Sequence, residues 1–249
     1  MRQDPANQRN YRLLAPNGVT AANISCGFIS LIMAADQRFD MAVYLLVLAM
    51  FLDTLDGNVA RWLGATSEFG QEMDSFSDAL SFGAAPAFIV YEAVLRDFQP
   101  LGLAVVLVYL LCSVFRLTRF NLTTDAHTKD VRTTGVPVPV AASYLMAAVL
   151  MRDLMPKAWV ALLVLLFAGL MVSRLRLPNL KGRNVVTLML FVGIINYLVF
   201  VALPSWKTAG WWAGWNFLIL LAAWIQDRRL LGREDDSPDN YTSMGPPTS

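Results

Sequence analysis

The sequence has few of the residues that a soluble protein or a soft-metal site requires. Only 16% of its 249 residues are charged, whereas about 25% is usual for soluble domains. The two cysteines, Cys26 and Cys112, both lie in apolar runs, so we expect no disulfide. The single histidine, His127, lies in a polar loop and is expected to be solvated. No internal repeat is visible, which disfavours a transporter built from repeated halves.

The sequence does contain a series of long apolar runs. Hydrophobic residues make up 56% of the chain, and a helix needs about 20 mostly apolar residues to cross a bilayer. Eight runs are candidate spans, near residues 18–35, 41–60, 75–95, 100–115, 135–151, 157–173, 185–204 and 209–226. The third and fifth runs are interrupted by Asp78, Pro86, Pro137 and Pro139. The pattern predicts an all-α, polytopic transmembrane helical bundle of about eight spans.

The basic residues predict the orientation of this bundle. With the N-terminus inside, 15 of the 20 Lys and Arg residues fall in cytoplasmic segments. The other five are Arg38, Arg96, Arg152, Lys157 and Lys207. Because basic residues concentrate in cytoplasmic loops, we expect both termini to be cytoplasmic in an integral protein of the plasma or inner membrane. We predict a cytoplasmic segment at 1–16, a transmembrane domain at 17–230, and a disordered cytoplasmic tail at 231–249 that is acidic and proline-containing.

Four aspartates lie within 26 residues in the pattern D-x2-D-G-x2-A-R-x8-G-x3-D-x3-D, between two apolar runs. A carboxylate at membrane depth is costly and suggests a functional site. At helical spacing, Asp53 and Asp56 share one face, and Asp74 and Asp78 share another. A short turn at 62–66 would join the two helices into a hairpin. The hairpin would bring all four carboxylates together.

These carboxylates predict a metal site. Oxygen ligands without nearby His or Cys select hard cations such as Mg²⁺ or Mn²⁺, and four aspartates balance two such ions. Two metal ions are a common clamp for in-line displacement at phosphorus, so the pattern favours phosphoryl-type chemistry on a diphosphate. The residues alone leave open a structural ion-pair cluster, a cation transporter or an intramembrane prenyltransferase. A single nearby cation, Arg61, argues against the first, and a prenyltransferase would carry two separate clusters.

The spacing resembles the signature of the CDP-alcohol phosphatidyltransferases. Every fixed position is met, by Asp53, Asp56, Gly57, Ala60, Arg61, Gly70, Asp74 and Asp78. The resemblance implies a membrane-embedded enzyme with a six-helix catalytic core, here followed by two more spans. Such an enzyme cleaves a CDP-linked lipid, joins the lipid phosphate to an alcohol and releases CMP. The resemblance further implies that Asp53, Asp56, Asp74 and Asp78 hold two Mg²⁺ or Mn²⁺ ions, with Asp78 as general base.

Further segments extend the resemblance to the phosphatidylserine synthases of this family. They are residues 16–27, with P-N-x2-T-x2-N-x2-C-G, residues 115–121, with R-L-x-R-F-N, and residues 135–142. The implied contacts to the CDP-lipid come from Asn17, Thr20, Asn23, Gly57, Ala60, Arg61, Ser67 and Gly70. The implied acceptor contacts come from Arg116, Arg119 and Asn121.

The implied acceptor is L-serine, whose carboxylate suits the planar fork of an arginine. Glycerol phosphate, inositol or inositol phosphate remain alternative acceptors for the same chemistry. Arg116 and Arg119 would equally suit simple anchoring at the cytoplasmic end of a span. The expected partners are CDP-diacylglycerol, L-serine, membrane lipids and a second copy in a homodimer, with no nucleic acid. The active site is expected to face the cytoplasm.

Overall fold

A computed structural model describes residues 5–64, 67–124, 135–174, 183–216, 218 and 221. Within these ranges it describes no side chains for residues 5–15, 61, 123–124 and 183–191. The predicted tail at 231–249 lies outside the described residues, as does the start of the predicted cytoplasmic segment.

The described part of the chain is helical and contains no strand, which confirms the all-α prediction. The helices are α1 (Pro5–Ala35), α2 (Phe39–Leu63), α3 (Glu68–Asp78), α4 (Ala85–Val90), α5 (Leu101–Thr124), α6 (Val138–Leu150), α7 (Lys157–Val172) and α8 (Arg183–Ala202). Residues 206–216 are also helical. The first seven predicted spans therefore overlap helices, and the helix at 206–216 covers the described start of the eighth, whose remainder lies mostly outside the described residues.

Among the residues that the structure describes, three helices are long and apolar enough to cross a membrane: Pro16–Ala35, Glu68–Phe98 and Leu101–Leu122. Shorter apolar helices cover Val138–Leu150, Lys157–Val172 and Val192–Ala202. These helices support a membrane protein. The number of spans and the cytoplasmic location of the termini stay predictions.

The prolines do not interrupt the third run as the sequence suggested. Helix α3 continues through a π turn (Ala79–Ala84) into α4, and then through Tyr91–Leu95 and Arg96–Phe98, as one long rod. Pro86 lies in the first turn of α4, directly after the π turn. In the fifth run, Pro137 caps the N-terminus of α6. The prolines therefore shape helix starts and turns without ending the spans.

The chain divides into two compact units, Met1–Leu175 and Arg176–Ser249. In the first, α1 and α2 pair closely, and the apolar core includes Leu46, Phe82, Tyr109 and Leu145. In the second, an aromatic cluster joins α8 to the helix at 206–216, with ring centroids of Tyr197 and Trp212 5.2 Å apart and those of Phe200 and Trp212 5.8 Å apart. Each unit is thus held by its own apolar contacts.

Ion pairs tie helix ends together at the end of the first unit that is predicted to face outside. Arg152, just after α6, binds Asp40 at the start of α2, with 2.8 Å between Nη1 and Oδ1. Lys157, at the start of α7, pairs with Asp97 at the end of the rod. Both cations belong to the five that the charge distribution assigned to the outer side. Arg152 and Lys157, which the charge distribution assigns to the outer side, therefore both bind residues at helix ends of that same predicted side.

The turn between α2 and α3 positions the aspartate motif. Gly64 adopts a positive φ of 59°, which glycine tolerates better than other residues. Ser67 then caps α3, because its side chain accepts a hydrogen bond from the backbone N–H of Gly70 at 3.0 Å. The chain reverses here, which brings the aspartates of α2 near those of α3.

Candidate active site

The facing helices bring three carboxylates of the motif together. Carboxylate oxygens of Asp53, Asp56 and Asp74 lie within 4.8 Å of one another. Asp56 is buried, with 5% of its surface exposed. Three such oxygens at this spacing are suited to a shared cation, because unscreened carboxylates in a low-dielectric site repel one another.

Asp78 lies one turn further along α3, deeper in the bundle. Its carboxyl group is within hydrogen-bond range of Asp53 and within electrostatic range of the Arg116 guanidinium. Its Oδ1 atom is buried and has no hydrogen-bond partner among the described residues. Asp78 therefore contacts the carboxylate cluster and still has one oxygen available for a proton or a ligand.

Helix α1 contributes polar groups to the same site. The Thr20 hydroxyl lies 2.9 Å from Oδ2 of Asp56 and 3.1 Å from the carbonyl of Pro16. One turn deeper, Asn23 is fully buried, and neither side-chain atom has a partner in the described part of the chain. Thr20 thus joins α1 to the aspartate cluster.

A cleft of about 180 Å³ opens beside the carboxylates. Six of the eight residues predicted to contact the CDP-lipid line it. The full lining is Pro16, Asn17, Thr20, Asp56, Gly57, Ala60, Ser67, Gly70, Gln71 and Asp74. Asn23 lies outside this lining, and the side chain of Arg61 lies outside the described residues. The sequence interpretation missed Gln71, which its spacing of three from Asp74 on α3 could have revealed.

Small residues keep the cleft open where α1 approaches α3. A Cβ atom on Gly70 would lie 3.1 Å from Ser67 Oγ and 3.3 Å from Asn17 Oδ1. A larger side chain here would push α1 away from the first turn of α3. The cleft adjoins this N-terminal turn, where a helix dipole favours a bound anion.

The three predicted acceptor residues on α5 have different surroundings. Arg116 is buried, with 7% exposed, and interacts electrostatically with Asp78 without forming an ion pair, while its Nε atom has no partner among the described residues. Asn121 donates to Oγ of Ser75, the residue after Asp74, at 2.9 Å. Of these three residues, Arg116 is the one whose buried side chain has a nitrogen without a partner among the described residues.

Arg119 contacts the C-terminal end of α7. Its guanidinium donates to the carbonyls of Val172 at 3.1 Å, Met171 at 3.3 Å and Ser173 at 3.4 Å. Gly135 lies against the same end of α7, where a Cβ on this residue would lie 2.3 Å from the Met171 carbonyl oxygen. The role of Arg119 toward an acceptor stays a prediction, and the structure adds a contact that the sequence did not indicate.

Comparison with known proteins gives a consistent assignment. The sequence matches the CDP-alcohol phosphatidyltransferase family over residues 13–175. It is 34% identical to a CDP-diacylglycerol–serine O-phosphatidyltransferase of Helicobacter pylori (strain ATCC 700392 / 26695), over 87% of this chain and 93% of that protein.

Two further proteins are similar to this chain at comparable sequence identity. An archaetidylserine synthase of Methanothermobacter thermautotrophicus is 33% identical over 69% of this chain and 72% of its own length. A CDP-diacylglycerol–serine O-phosphatidyltransferase of Bacillus subtilis (strain 168) is 31% identical over 67% and 90%. The family match covers the helices that carry the aspartates, the cleft and Arg116. The chain belongs to the CDP-alcohol phosphatidyltransferase family.

Proposed function

We propose that the protein transfers the phosphatidyl group of CDP-diacylglycerol to the hydroxyl of L-serine, giving phosphatidylserine and CMP. The observation that carries this proposal is the convergence of Asp53, Asp56 and Asp74 beside a cleft, with Asp78 interacting with both that cluster and Arg116. The relatives named above support serine as the acceptor, since each name specifies a serine-containing lipid or serine itself.

The donor set fits a pair of hard divalent cations. Asp53, Asp56, Asp74 and Asp78 offer only oxygen ligands, which suits Mg²⁺ or Mn²⁺. When bound, such ions supply Lewis-acid polarisation of the diphosphate oxygens and neutralise the charge that develops on them.

Asp78 is the proposed general base. Its unpaired Oδ1 can accept the proton of the serine hydroxyl as the serine oxygen bonds to the phosphorus of the phosphatidyl group. The bond from that phosphorus to the oxygen of CMP breaks, and CMP leaves as a phosphate monoester. The proposed ligand of the serine carboxylate is Arg116, which is supported by its buried, unpartnered Nε donor and its electrostatic interaction with Asp78.

The cleft is the proposed site for the nucleotide and diphosphate. Gly57 and Ala60 on α2 offer little side-chain bulk, and Asn17 and Ser67 offer polar groups. The first turn of α3 adds a favourable electrostatic field for the diphosphate. By the distribution of basic residues, this end of the bundle faces the cytoplasm, where soluble serine and CMP exchange.

An acceptor screen tests this function. Purified protein is supplied with CDP-diacylglycerol and Mn²⁺ or Mg²⁺, and then with serine, glycerol phosphate, inositol or inositol phosphate in separate reactions. We expect a lipid product and CMP in the reaction with serine and in none of the other three reactions. A lipid product with another acceptor, and none with serine, would support the reaction class but contradict serine as the acceptor. Absence of CMP with every acceptor would overturn the reaction, and Asp53→Asn serves as the inactive control.

A further inference from the structure

Immediately after Asp78 the rod changes from an α-helix to a π turn. The N–H of Ala85 bonds to the carbonyl of Leu80, five residues back, where an α-helix would bond four back. One extra residue in a turn rotates the next part of the helix by about 100°. The direction of Asp78 relative to the buried helix α4 therefore depends on this turn.

Pro86 provides a physical cause for the π turn. In an α-helix the N–H of residue 86 would bond to the carbonyl of Phe82, but proline has no N–H, and its ring clashes with that carbonyl. Phe82 is fully buried, so water cannot replace the missing donor. An unpaired buried carbonyl would be destabilising.

Tyr109 of α5 supplies a donor to that carbonyl. Its hydroxyl lies 2.9 Å from the carbonyl oxygen of Phe82, and the side chain is 0% exposed within the apolar core. The hydroxyl therefore completes the π turn from a neighbouring helix.

The same face of α5 carries the residue that faces Asp78. Tyr109, Ser113 and Arg116 are spaced by four and three residues, so they lie along one side of the helix. Ser113 approaches the π turn so closely that a Cβ on Gly83 would lie 2.7 Å from its Oγ. Helix α5 thus contacts the rod at the π turn, and the same face of α5 carries Arg116.

We propose that Tyr109 is a positioning residue for phosphatidyl transfer: its bond to the Phe82 carbonyl holds the π turn that directs Asp78 toward Arg116 and the carboxylate cluster. This inference rests on the proposed function and assigns a role to a residue that touches no substrate. Small displacements of a catalytic group can reduce turnover about 100-fold.

The test measures kcat and KM of Tyr109→Phe in detergent-purified protein, with Tyr144→Phe as the control that removes a tyrosine hydroxyl elsewhere. We expect kcat to fall about 10- to 100-fold, with the KM values for serine and CDP-diacylglycerol within about twofold. General loosening of the fold would change both KM values as well. Gly83→Val, whose side chain would overlap Leu110 and Ser113 of α5 at the same turn, should give the same selective loss if Tyr109→Phe does not fold.

A second substitution distinguishes two roles of Tyr109: positioning Asp78, or only donating a hydrogen bond to the Phe82 carbonyl. Pro86→Ala restores an N–H that can bond to the Phe82 carbonyl in α-helical geometry, which would remove the π turn. We therefore expect Tyr109→Phe/Pro86→Ala to remain as slow as Tyr109→Phe. Normal kcat in Tyr109→Phe, or recovery of kcat in the double variant, would overturn the inference. The proposed function would still stand in that case, provided that the wild-type protein is active. Inactive wild-type protein would instead refute the proposed function.

Discussion

Replacement of Arg116 and Arg119 separately tests which arginine binds the acceptor. Arg116 is buried beside Asp78 with an unpaired Nε, whereas Arg119 donates to three carbonyls at the end of α7. We therefore predict that Arg116→Gln raises the KM for serine, because the serine carboxylate loses its charged donor. Arg119→Gln should leave that KM nearly unchanged and lower the stability of the protein.

The magnitude follows from the burial of the side chain. A hydrogen bond to a charged group contributes about 1.5–3 kcal/mol, which corresponds to roughly a 10- to 150-fold higher KM. Arg116 is only 7% exposed, so water would compensate little for its loss. For Arg119→Gln, the lost bonds to the carbonyls should reduce the free energy of unfolding by about 1–3 kcal/mol.

The assay measures serine KM at saturating CDP-diacylglycerol, together with a thermal unfolding curve for each variant. Arg96→Gln is the matched control, because Arg96 is exposed and pairs only with Glu92 one turn away among the described contacts. Arg116→Lys should keep the positive charge near Asp78 and recover part of the serine affinity. An unchanged serine KM in Arg116→Gln would refute the acceptor role of this arginine.

Three further predictions concern the metal site, the base and the cleft. Activity should vanish in EDTA and return with Mg²⁺ or Mn²⁺; full activity in metal-free buffer would contradict a metal-dependent mechanism. Asp78→Asn should reduce kcat by about 10²–10⁴-fold with little change in the KM for CDP-diacylglycerol, and near-normal turnover would assign the base to another group. Ala60→Leu should fill the cleft and abolish CDP-lipid binding, measured by calorimetry, whereas Gly169→Leu, at a position where a Cβ meets nothing within 4 Å, should bind normally.

Much of the site could be predicted because it depends on local spacing. Asp53 and Asp56 lie on one helix, Asp74 and Asp78 lie on the next, and the turn between them is short. Helical periodicity and a turn therefore suffice to bring the carboxylates together. The cleft residues on α1 could not be derived in this way and came from the family resemblance.

The surroundings of α5 could not be read from sequence. Arg116 and Arg119 are three residues apart and look equivalent in the sequence, but they face different helices. Their difference depends on how α5 packs against both α3 and α7, which is a tertiary property. The bond from Tyr109 to Phe82 is of the same kind, since it joins residues 27 positions apart.

The span at 75–95 shows that a proline in an apolar run can either interrupt a helix or lie within a continuous one. Pro86 within an apolar run indicates an interruption, but the structure continues the helix through a π turn. The sequence cannot show that a buried tyrosine from another helix compensates for the missing N–H. Such compensation by neighbouring helices is the reason that proline is permitted within membrane helices.

The fate of the serine hydroxyl oxygen tests the central claim most directly. Purified protein is incubated with CDP-diacylglycerol, Mn²⁺ and serine labelled with ¹⁸O in the hydroxyl group, and both products are analysed by mass spectrometry. Attack by that oxygen on phosphorus predicts phosphatidylserine that carries the label, with unlabelled CMP in equal amount. Label missing from the lipid, or CMP released with phosphatidic acid as the only lipid product, would contradict the proposed transfer.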